Sequence, residues 1–289
     1  MAELVQFVIS GLVVGSIYGL VGIGYTGVYN VTRIVNFAQG DFAMVGAMTA
    51  VAFFELGAPL PLAVAGAIVA VAALGAAVER WAIRPARADE VRGIIITLGV
   101  GVCLQGLAVK LWGTDARPLP AFSGERPVAL LGATLPPQAV WVLGTAVALM
   151  VLLHVFFGAT YLGKAFRACA VNPYAARLVG IEVRTMSVLS FVLSGVLGAV
   201  AGIIVAPIVL AQYDSGITLG IKGFVACVVG GLGHPTGAAV GGLLLGVLEA
   251  FAAGFLSSGY KNAIAFVLLL GFLFLRPGGL LGELERVER

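Results

Sequence analysis

The polar residues that could do chemistry stand inside or beside long apolar stretches of the chain. Asp41 follows Asn36, Gln39 and Gly40 at the start of one stretch, and Glu249 lies within another. Ionisable residues inside a membrane are functional candidates, because a charge in hydrocarbon is costly. We expect Asn36, Gln39, Gly40 and Asp41 to act together in a pathway, and the sequence favours a conformational role for Asp41 over direct substrate binding by these side chains. For Glu249 the sequence leaves two roles open, a pathway residue and a hydrogen-bonding group between helices.

One segment nearly matches a phosphate-binding loop. The run Gly158-Ala-Thr-Tyr-Leu-Gly163-Lys164-Ala165 follows the pattern G-x-x-x-x-G-K-[ST] except at its last position, where alanine supplies no hydroxyl for magnesium. The preceding stretch is typical of a membrane helix, whereas such a loop follows a strand. We interpret the match as chance and predict that the chain has no ATPase site of its own.

The remaining reactive residues do not predict a catalytic centre or a metal site. His154 lies near the end of one apolar stretch and His234 lies in a glycine-rich segment, and neither has a second ligand at metal-binding spacing. No Ser/His/Asp arrangement is present either. The cysteines lack paired spacing, so we expect them to pack as small apolar side chains and not to form a disulfide framework. They are Cys103, Cys169 and Cys227.

A short polar segment predicts a capped helix. Asn172 can cap its start, the proline that follows suits the first helical position, and Gly180 suits its end. Tyr174 and Leu178 lie one turn apart, and together with Ile181 they would form one apolar face. Such a face fits a groove on a partner protein or the surface of a bilayer, and the residues alone leave both open.

The composition indicates a polytopic α-helical membrane protein. Of the 289 residues, 60% are hydrophobic and only 11% are charged, and the mean hydropathy is +1.07. Soluble domains carry about 25% charged residues, so this chain could not cover a water-facing surface. We interpret residues 1–289 as one transmembrane domain.

The chain divides into about eight candidate membrane segments, since a spanning helix needs about 20 apolar residues. The segments run from about Leu4 to Tyr29, Asp41 to Leu56, Leu60 to Ile83, Gly93 to Trp112, Ala139 to Phe157, Met186 to Gln212, Gly220 to Leu256 and Ala263 to Leu275. The seventh is too long for one span, and Gly220 to Gly233 predicts a half-helix or re-entrant segment. Asn30 to Gly40 predicts a second break. Irregular backbone persists at membrane depth only beside protein or a water-filled cavity, so both breaks are candidate pathway elements.

Basic residues predict an orientation for these segments, because cytoplasmic loops are rich in Lys and Arg. Three stretches are basic: Arg80, Arg84, Arg87 and Arg92; Lys164, Arg167, Arg177 and Arg184; and Arg276, Arg286 and Arg289. We predict that these stretches are cytoplasmic. Residues 113–138 and the N-terminus are then expected on the opposite side.

Two glycine pairs with the same spacing predict close helix contacts. Three apolar residues separate Gly11 from Gly15, and three separate Gly242 from Gly246. Small residues at this spacing let membrane helices approach closely. The likeness of the two pairs is only weak support for an inverted repeat, because glycine is frequent throughout this chain.

Four segments together resemble the permease subunit of bacterial ABC importers for branched-chain amino acids, the LivH type. They are Val31-Thr-Arg-Ile-Val-Asn-Phe-Ala-Gln-Gly-Asp-Phe42, Arg167-Ala-Cys-Ala-Val-Asn-Pro-Tyr-Ala-Ala-Arg-Leu-Val-Gly-Ile181, Val229-Gly-Gly-Leu-Gly-His-Pro-Thr-Gly-Ala-Ala-Val-Gly-Gly242 and Phe274-Leu-Arg-Pro-Gly-Gly-Leu-Leu-Gly282. The resemblance covers essentially the whole chain in order, and the first motif is the most specific. One departure is Asn172, which with its proline stands where the family usually has a charged residue.

The resemblance implies an ABC importer permease fold in a bacterial inner membrane. It implies a second related permease, two cytosolic ATPase subunits that bind ATP and magnesium, and an extracytoplasmic amino-acid-binding protein. Membrane lipid is expected around the chain, and neither a nucleic-acid partner nor a cofactor of its own is expected. Residues 160–186 then resemble the loop that docks into an ATPase, and the expected contacts are Asn172, Tyr174, Ala175, Arg177, Leu178 and Gly180.

The resemblance makes the chain a transport subunit and not an enzyme, but two functional questions stay open. The first question is the substrate, because relatives with these motifs also carry urea or short amides. The second question is the class of transporter, since an ion-coupled secondary transporter could use Asp41 and Glu249 as coupling sites. A membrane scaffold is a third class, and it would not need broken helices.

Overall fold

The computed structural model describes residues 2–86, 89–124, 127–130, 133–255, 259, 261–276 and 278–281. Its α-helices are α1 (Ala2–Thr32), α2 (Gln39–Glu55), α3 (Leu60–Ala77), α4 (Glu90–Trp112), α5 (Pro137–Ala159), α6 (Tyr161–Val171), α7 (Pro173–Leu178), α8 (Val183–Val209), α9 (Ser215–Gly230), α10 (Pro235–Phe255) and α11 (Lys261–Leu275). A π-helical stretch, Val78–Ile83, and a 3-10 turn, Arg84–Ala86, continue α3. Of the predicted basic residues, Arg87, Arg286 and Arg289 lie outside the described residues.

Six helices in the described ranges are long and apolar enough to cross a membrane: α1, α3, α4, α5, α8 and α10. The helices α2, α9 and α11 are shorter, with 17, 16 and 15 residues. The predicted seventh segment is two helices, since Gly231 and Gly233 adopt φ of +108° and +94° between α9 and α10. The other predicted break is also present, between the end of α1 and the start of α2.

The helices form a buried centre and an exposed periphery. In the most apolar stretch of α8, 67% of residues are buried inside the protein, against 17% in α5. Long contacts join α1 to α10 and α2 to α8, and α9 packs against α1, α2 and α10. The breaks that flank α2 and α9 therefore lie against the most buried helices.

The two glycine pairs form the contact between α1 and α10. A Cβ atom added to Gly15 would lie 2.7 Å from the carbonyl oxygen of Gly242. Gly11 approaches the backbone of α10 one turn further along, beside Gly246 and Val247. The predicted role in close helix packing is confirmed.

A small β-hairpin departs from the predicted all-α class. Strands β1 (Val128–Leu130) and β2 (Ala133–Leu135) pair antiparallel, with Val128 opposite Leu135. Three-residue strands are too short for period-2 alternation to reveal them in the sequence. The side chain of Gln6 donates to the carbonyl of Thr134 at 3.0 Å and accepts from its N–H at 2.9 Å, so the hairpin lies at the end of the bundle where α1 begins.

Candidate functional site

Two backbone breaks meet inside the helix bundle, the predicted one before α2 and one before α9 that was not predicted. One leads from α1 into α2, and the other leads from α8 into α9 through Leu210, whose φ is +66°. The start of α2 contacts the first two turns of α9, since a Cβ on Gly40 would lie 2.5 Å from the backbone nitrogen of Gly220 and Gly216 lies against Asp41. Helix N-termini carry partial positive charge, so two such ends converge here.

This meeting point lies about half-way along α4. Gly101 and Gln105 of α4 both lie beside Asp41, in the first turn of α2. At 1.5 Å per residue they are about 16 to 22 Å from the start of α4. For a helix that spans the hydrocarbon core of a bilayer, about 30 Å thick, this position is near the middle.

Asp41 is the acidic group at the meeting point. Its side chain is buried, and Oδ1 accepts a hydrogen bond from Nε2 of Gln105 at 2.8 Å. Glycines make room for the carboxylate, since a Cβ on Gly216 would lie 2.7 Å from Oδ1 and a Cβ on Gly101 would lie 2.5 Å from Oδ2. Within the described ranges Asp41 forms no ion pair. One amide and two helix ends stabilise this carboxylate, which leaves it able to receive a cationic group.

The two predicted amides lie beside Asp41 in the chain and have different surroundings. Gln39 joins α2 to α8, because its Nε2 donates to the carbonyl of Ser194 at 3.1 Å and its Oε1 accepts from the Ser194 hydroxyl. Asn36 is fully buried, yet neither polar atom of its side chain has a hydrogen-bond partner among the described residues. An unpaired buried amide costs about 1–3 kcal/mol. Asn36 can therefore bind water or a polar ligand that reaches it.

Three aromatic residues form an apolar wall that includes Phe37, the residue after Asn36 in the chain. The ring of Phe37 lies 5.3 Å from that of Phe224, and the ring of Tyr25 lies 5.8 Å from Phe224, between ring centroids. The Tyr25 hydroxyl donates to the carbonyl of Gly220 at 3.1 Å. The sequence carried no signal for this wall, because aromatic residues in apolar helices face lipid as often as a site. Gln105, by contrast, is a polar residue inside α4 and could have been singled out.

Glu249 belongs to a separate cluster between α1, α9 and α10. Its Oε2 lies 3.0 Å from Nζ of Lys222 and accepts a hydrogen bond from the Tyr18 hydroxyl at 2.9 Å. Lys222 also donates to the Tyr18 oxygen at 3.1 Å. The structure thus does not bring Glu249 to Asp41. Sequence reasoning missed Lys222, although a lysine in an apolar helix satisfies the same rule that identified Glu249.

The end of α1 is hydrogen-bonded to the break between α9 and α10 and to the end of α6. Asn30 donates to the carbonyl of Gly233 in the break between α9 and α10 at 2.8 Å. Arg33 adopts φ of +60°, and its guanidinium donates to the carbonyl of Ala170 at 2.7 Å. Ala170 lies in the last turn of α6, directly before the α6–α7 turn. We call these two bonds the α1 junction.

The predicted capped helix is α7, and its cap is confirmed. Oδ1 of Asn172 accepts from the N–H groups of Tyr174 and Ala175 at 2.9 and 3.0 Å, and Gly180 after the helix adopts φ of +86°. The expected contact residues are exposed, with Tyr174 at 76% and Leu178 at 89%. Ile181 differs from the predicted apolar face, because it is partly buried against α6 and α8 residues.

Comparisons with known proteins place these features in one family. The family described as branched-chain amino acid transport system / permease component matches residues 7–273. The permease protein BraD of a high-affinity branched-chain amino acid transport system of Pseudomonas aeruginosa is 34% identical, over 98% of this chain and 97% of its own length. LivH of Escherichia coli (strain K12) gives the same three values. The autoinducer 2 import system permease LsrC of Klebsiella pneumoniae is 31% identical over 68% of this chain and 55% of its own length.

A solved structure shares the fold. The chain is similar to one from "PsaBC from Streptococcus pneumoniae in complex with Fab", with a TM-score of 0.54 and 14% identity, covering 96% of this chain and 93% of that one. At this identity the likeness concerns the fold alone. Because the family match spans residues 7–273 and BraD and LivH align with nearly the whole chain, this protein belongs to the permease component family of branched-chain amino acid transport systems.

Proposed function

We propose that the chain is the membrane-spanning permease subunit of an ATP-driven importer, and that its substrates are branched-chain or related amino acids. The observation that carries the proposal is the meeting of two broken segments around a buried carboxylate that has no cationic partner among the described residues. The family membership supports the same role. Transport needs no covalent step, and none is proposed.

The proposed pathway includes Asn36, Gln39, Gly40 and Asp41, together with Gln105. An amino acid is a zwitterion, and its ammonium group needs a counter-charge at membrane depth. Asp41 supplies that charge once α2, α4 and α9 separate, and the unpaired amide of Asn36 can bind the carboxylate. The apolar side chain would then face the aromatic wall of Phe37, Phe224 and Tyr25. Glu249 is assigned a structural role, because Lys222 already neutralises it.

We propose that α7 docks into an ATPase subunit in the cytosol. The exposed side chains of Tyr174, Arg177 and Leu178 offer mixed apolar and cationic contacts, as helix-in-groove recognition requires. ATP and magnesium would be bound by two such ATPases and not by this chain. The α1 junction gives a mechanical path, since α6 moves with α7 and pulls on Arg33 next to the broken segment.

We propose the rest of the assembly from the family to which the chain belongs. A second permease subunit would complete the pathway, and an extracytoplasmic binding protein would deliver substrate. The inner membrane is the proposed location, with α2, α9 and α11 as further membrane segments beside the six long helices. Alternating access would open the meeting point of the breaks first outward and then inward.

Reconstitution tests the proposal. The chain is placed in liposomes with the second permease subunit, the ATPase subunits and the binding protein of the same importer. Uptake of radiolabelled leucine is then measured with and without internal ATP. We expect uptake only with ATP and with all components. Leucine uptake by this chain alone, driven by a sodium or proton gradient, would contradict the proposal.

A second candidate class has one observation in its favour, the absence of an ion pair at Asp41 within the described ranges. A proton- or ion-coupled carrier would use such a carboxylate. The gradient experiment above separates the two classes. The substrate has its own alternative, because LsrC relatives are named for autoinducer 2 import and motif-bearing relatives carry urea or short amides. Binding of leucine, urea and acetamide to the cognate binding protein, measured by calorimetry, separates the substrates.

A further inference from the structure

A slot of about 740 Å³ lies between α1, α5, α6 and α10, away from the polar cluster around Asp41. This volume falls within the range of small-molecule sites, about 300–1,000 Å³. Ile23, Met150 and Leu243 line its apolar inner part. Its polar groups gather at the other end, where α1 and α5 finish.

The depth of the slot matches one leaflet of a bilayer. Ile23 lies nine residues before the end of α1, and Met150 lies nine residues before the end of α5. Leu243 lies eight residues after the start of α10. At 1.5 Å per residue these separations are about 12–14 Å, close to half of the roughly 30 Å hydrocarbon core.

The mouth of the slot carries a cation, Arg167. His154 and Asn30 line the mouth as further polar residues, and no carboxylate lines it within the described residues. Arg167 is exposed and forms no ion pair in that part of the chain. Basic pockets between membrane helices bind anionic lipid head groups.

We propose that the slot binds one anionic phospholipid from the leaflet that borders α6. An acyl chain occupies the apolar slot, and the phosphate lies at Arg167. This proposal does not depend on whether the transported substrate is an amino acid. Since Ala170 and Gly233 line the slot and accept the two bonds of the α1 junction, the bound lipid braces that junction.

Native mass spectrometry of the full-length chain in a neutral detergent tests the site. Dioleoyl phosphatidylglycerol and dioleoyl phosphatidylcholine are titrated separately. We expect saturable binding of one phosphatidylglycerol, which Arg167→Gln weakens about fivefold, while binding of phosphatidylcholine does not change. Lys164→Gln is the matched control, since Lys164 is exposed on the same helix but does not line the slot, and it should change neither lipid. Val240→Trp, at a half-exposed lining position, should fill the slot and reduce binding of both lipids.

Several results would overturn the proposal. Equal binding of the two lipids by the wild-type chain would remove the role of charge, and an equal loss in Lys164→Gln would indicate diffuse surface attraction. Unchanged binding in folded Val240→Trp would place the lipid elsewhere. Displacement of phosphatidylglycerol by soluble glycerol phosphate would indicate a free-anion site, and a dimer that forms without lipid and is lost in Val240→Trp would assign the slot to a second copy.

Discussion

Three buried carboxylates in the described part of the chain differ in what surrounds them. Glu79 lies 3.2 Å from the guanidinium of Arg84, and Glu249 lies 3.0 Å from the Lys222 ammonium. Asp41 has the amide of Gln105 instead. Glu79 and Glu249 are thus neutralised in place, whereas Asp41 has no cation beside it among the described residues, which is why we propose it for the substrate pathway.

Removal of the lysine from the Glu249 cluster should destabilise the fold. Lys222→Met leaves a buried carboxylate without its cation, and breaking such a pair costs about 3–5 kcal/mol. The double variant Lys222→Met with Glu249→Gln should recover most of that loss, because glutamine is neutral and still accepts from Tyr18. Thermal unfolding of the purified variants in detergent measures the loss of stability and its recovery, with Lys110→Met at an exposed position as the control. A double variant as unstable as the single one would show that the pair is not a neutralising contact.

Neutralisation of Asp41 should impair transport and leave the fold intact. Asp41→Asn keeps the shape and can still accept from Gln105, but it removes the charge offered to an ammonium group. A hydrogen bond to a charged group contributes about 1.5–3 kcal/mol, so ATP-driven uptake in proteoliposomes should fall about tenfold or more. Glu55→Gln is the control, since Glu55 is an exposed carboxylate at the end of the same helix, paired with Arg117. Wild-type uptake by Asp41→Asn would remove Asp41 from the pathway.

The sequence could identify these polar residues but not their partners. Asp41 and Glu249 stood out because an acidic residue in an apolar stretch is rare, and the same rule applied to Lys222 would have found it. Which carboxylate faces the lysine depends on how α9 is rotated against α10. That rotation is set by tertiary packing, which hydropathy along the chain does not record.

At the scale of elements, the breaks were predictable because their causes are local. Gly231 and Gly233 adopt positive φ, and the proline at the start of α10 cannot continue a helix from α9. The cap of α7 is equally local, since one asparagine satisfies two N–H groups. The meeting of the break before α2 with the break before α9 is not local, because residues about 175 positions apart must pack together. The hairpin was missed because its strands are too short to show a pattern.

The contact between α1 and α10 gives a test of element packing. Gly15→Ala places a methyl group 2.7 Å from a backbone oxygen, so the helices must separate. Overpacking of this kind costs about 1–3 kcal/mol. Gly106→Ala is the matched control, because a Cβ there meets no atom within 4 Å and helix propensity alone would stabilise it by about 1 kcal/mol.

Thermal unfolding in detergent distinguishes the two glycine variants. Gly15→Ala should lower the unfolding temperature, and Gly106→Ala should leave it unchanged or raise it. Equal unfolding temperatures would mean that the α1–α10 contact is looser than its backbone distances indicate.

At the scale of the whole molecule, the chain divides transport between two regions. The polar cluster lies near the middle of the bundle, while α7 lies outside it with its side chains exposed. The α1 junction reaches both the α6–α7 loop and the break between α9 and α10. This arrangement agrees with our proposal that ATPase subunits drive the chain through α7.

Disruption of the α7 surface should uncouple ATP hydrolysis from uptake. Arg177→Glu with Leu178→Asp reverses one charge and removes one apolar contact on exposed positions, so insertion and folding should persist. In the reconstituted assembly we expect leucine uptake to fall at least tenfold relative to ATP hydrolysis measured in the same liposomes, while binding of leucine to the binding protein is unchanged. Arg177→Lys with Leu178→Met preserves charge and apolar volume and should retain coupling. Normal ATP-driven uptake by the disruptive double variant would exclude α7 as the docking element. Loss of uptake in the conservative double variant as well would indicate that the ATPase does not recognise α7 by charge and apolar contact.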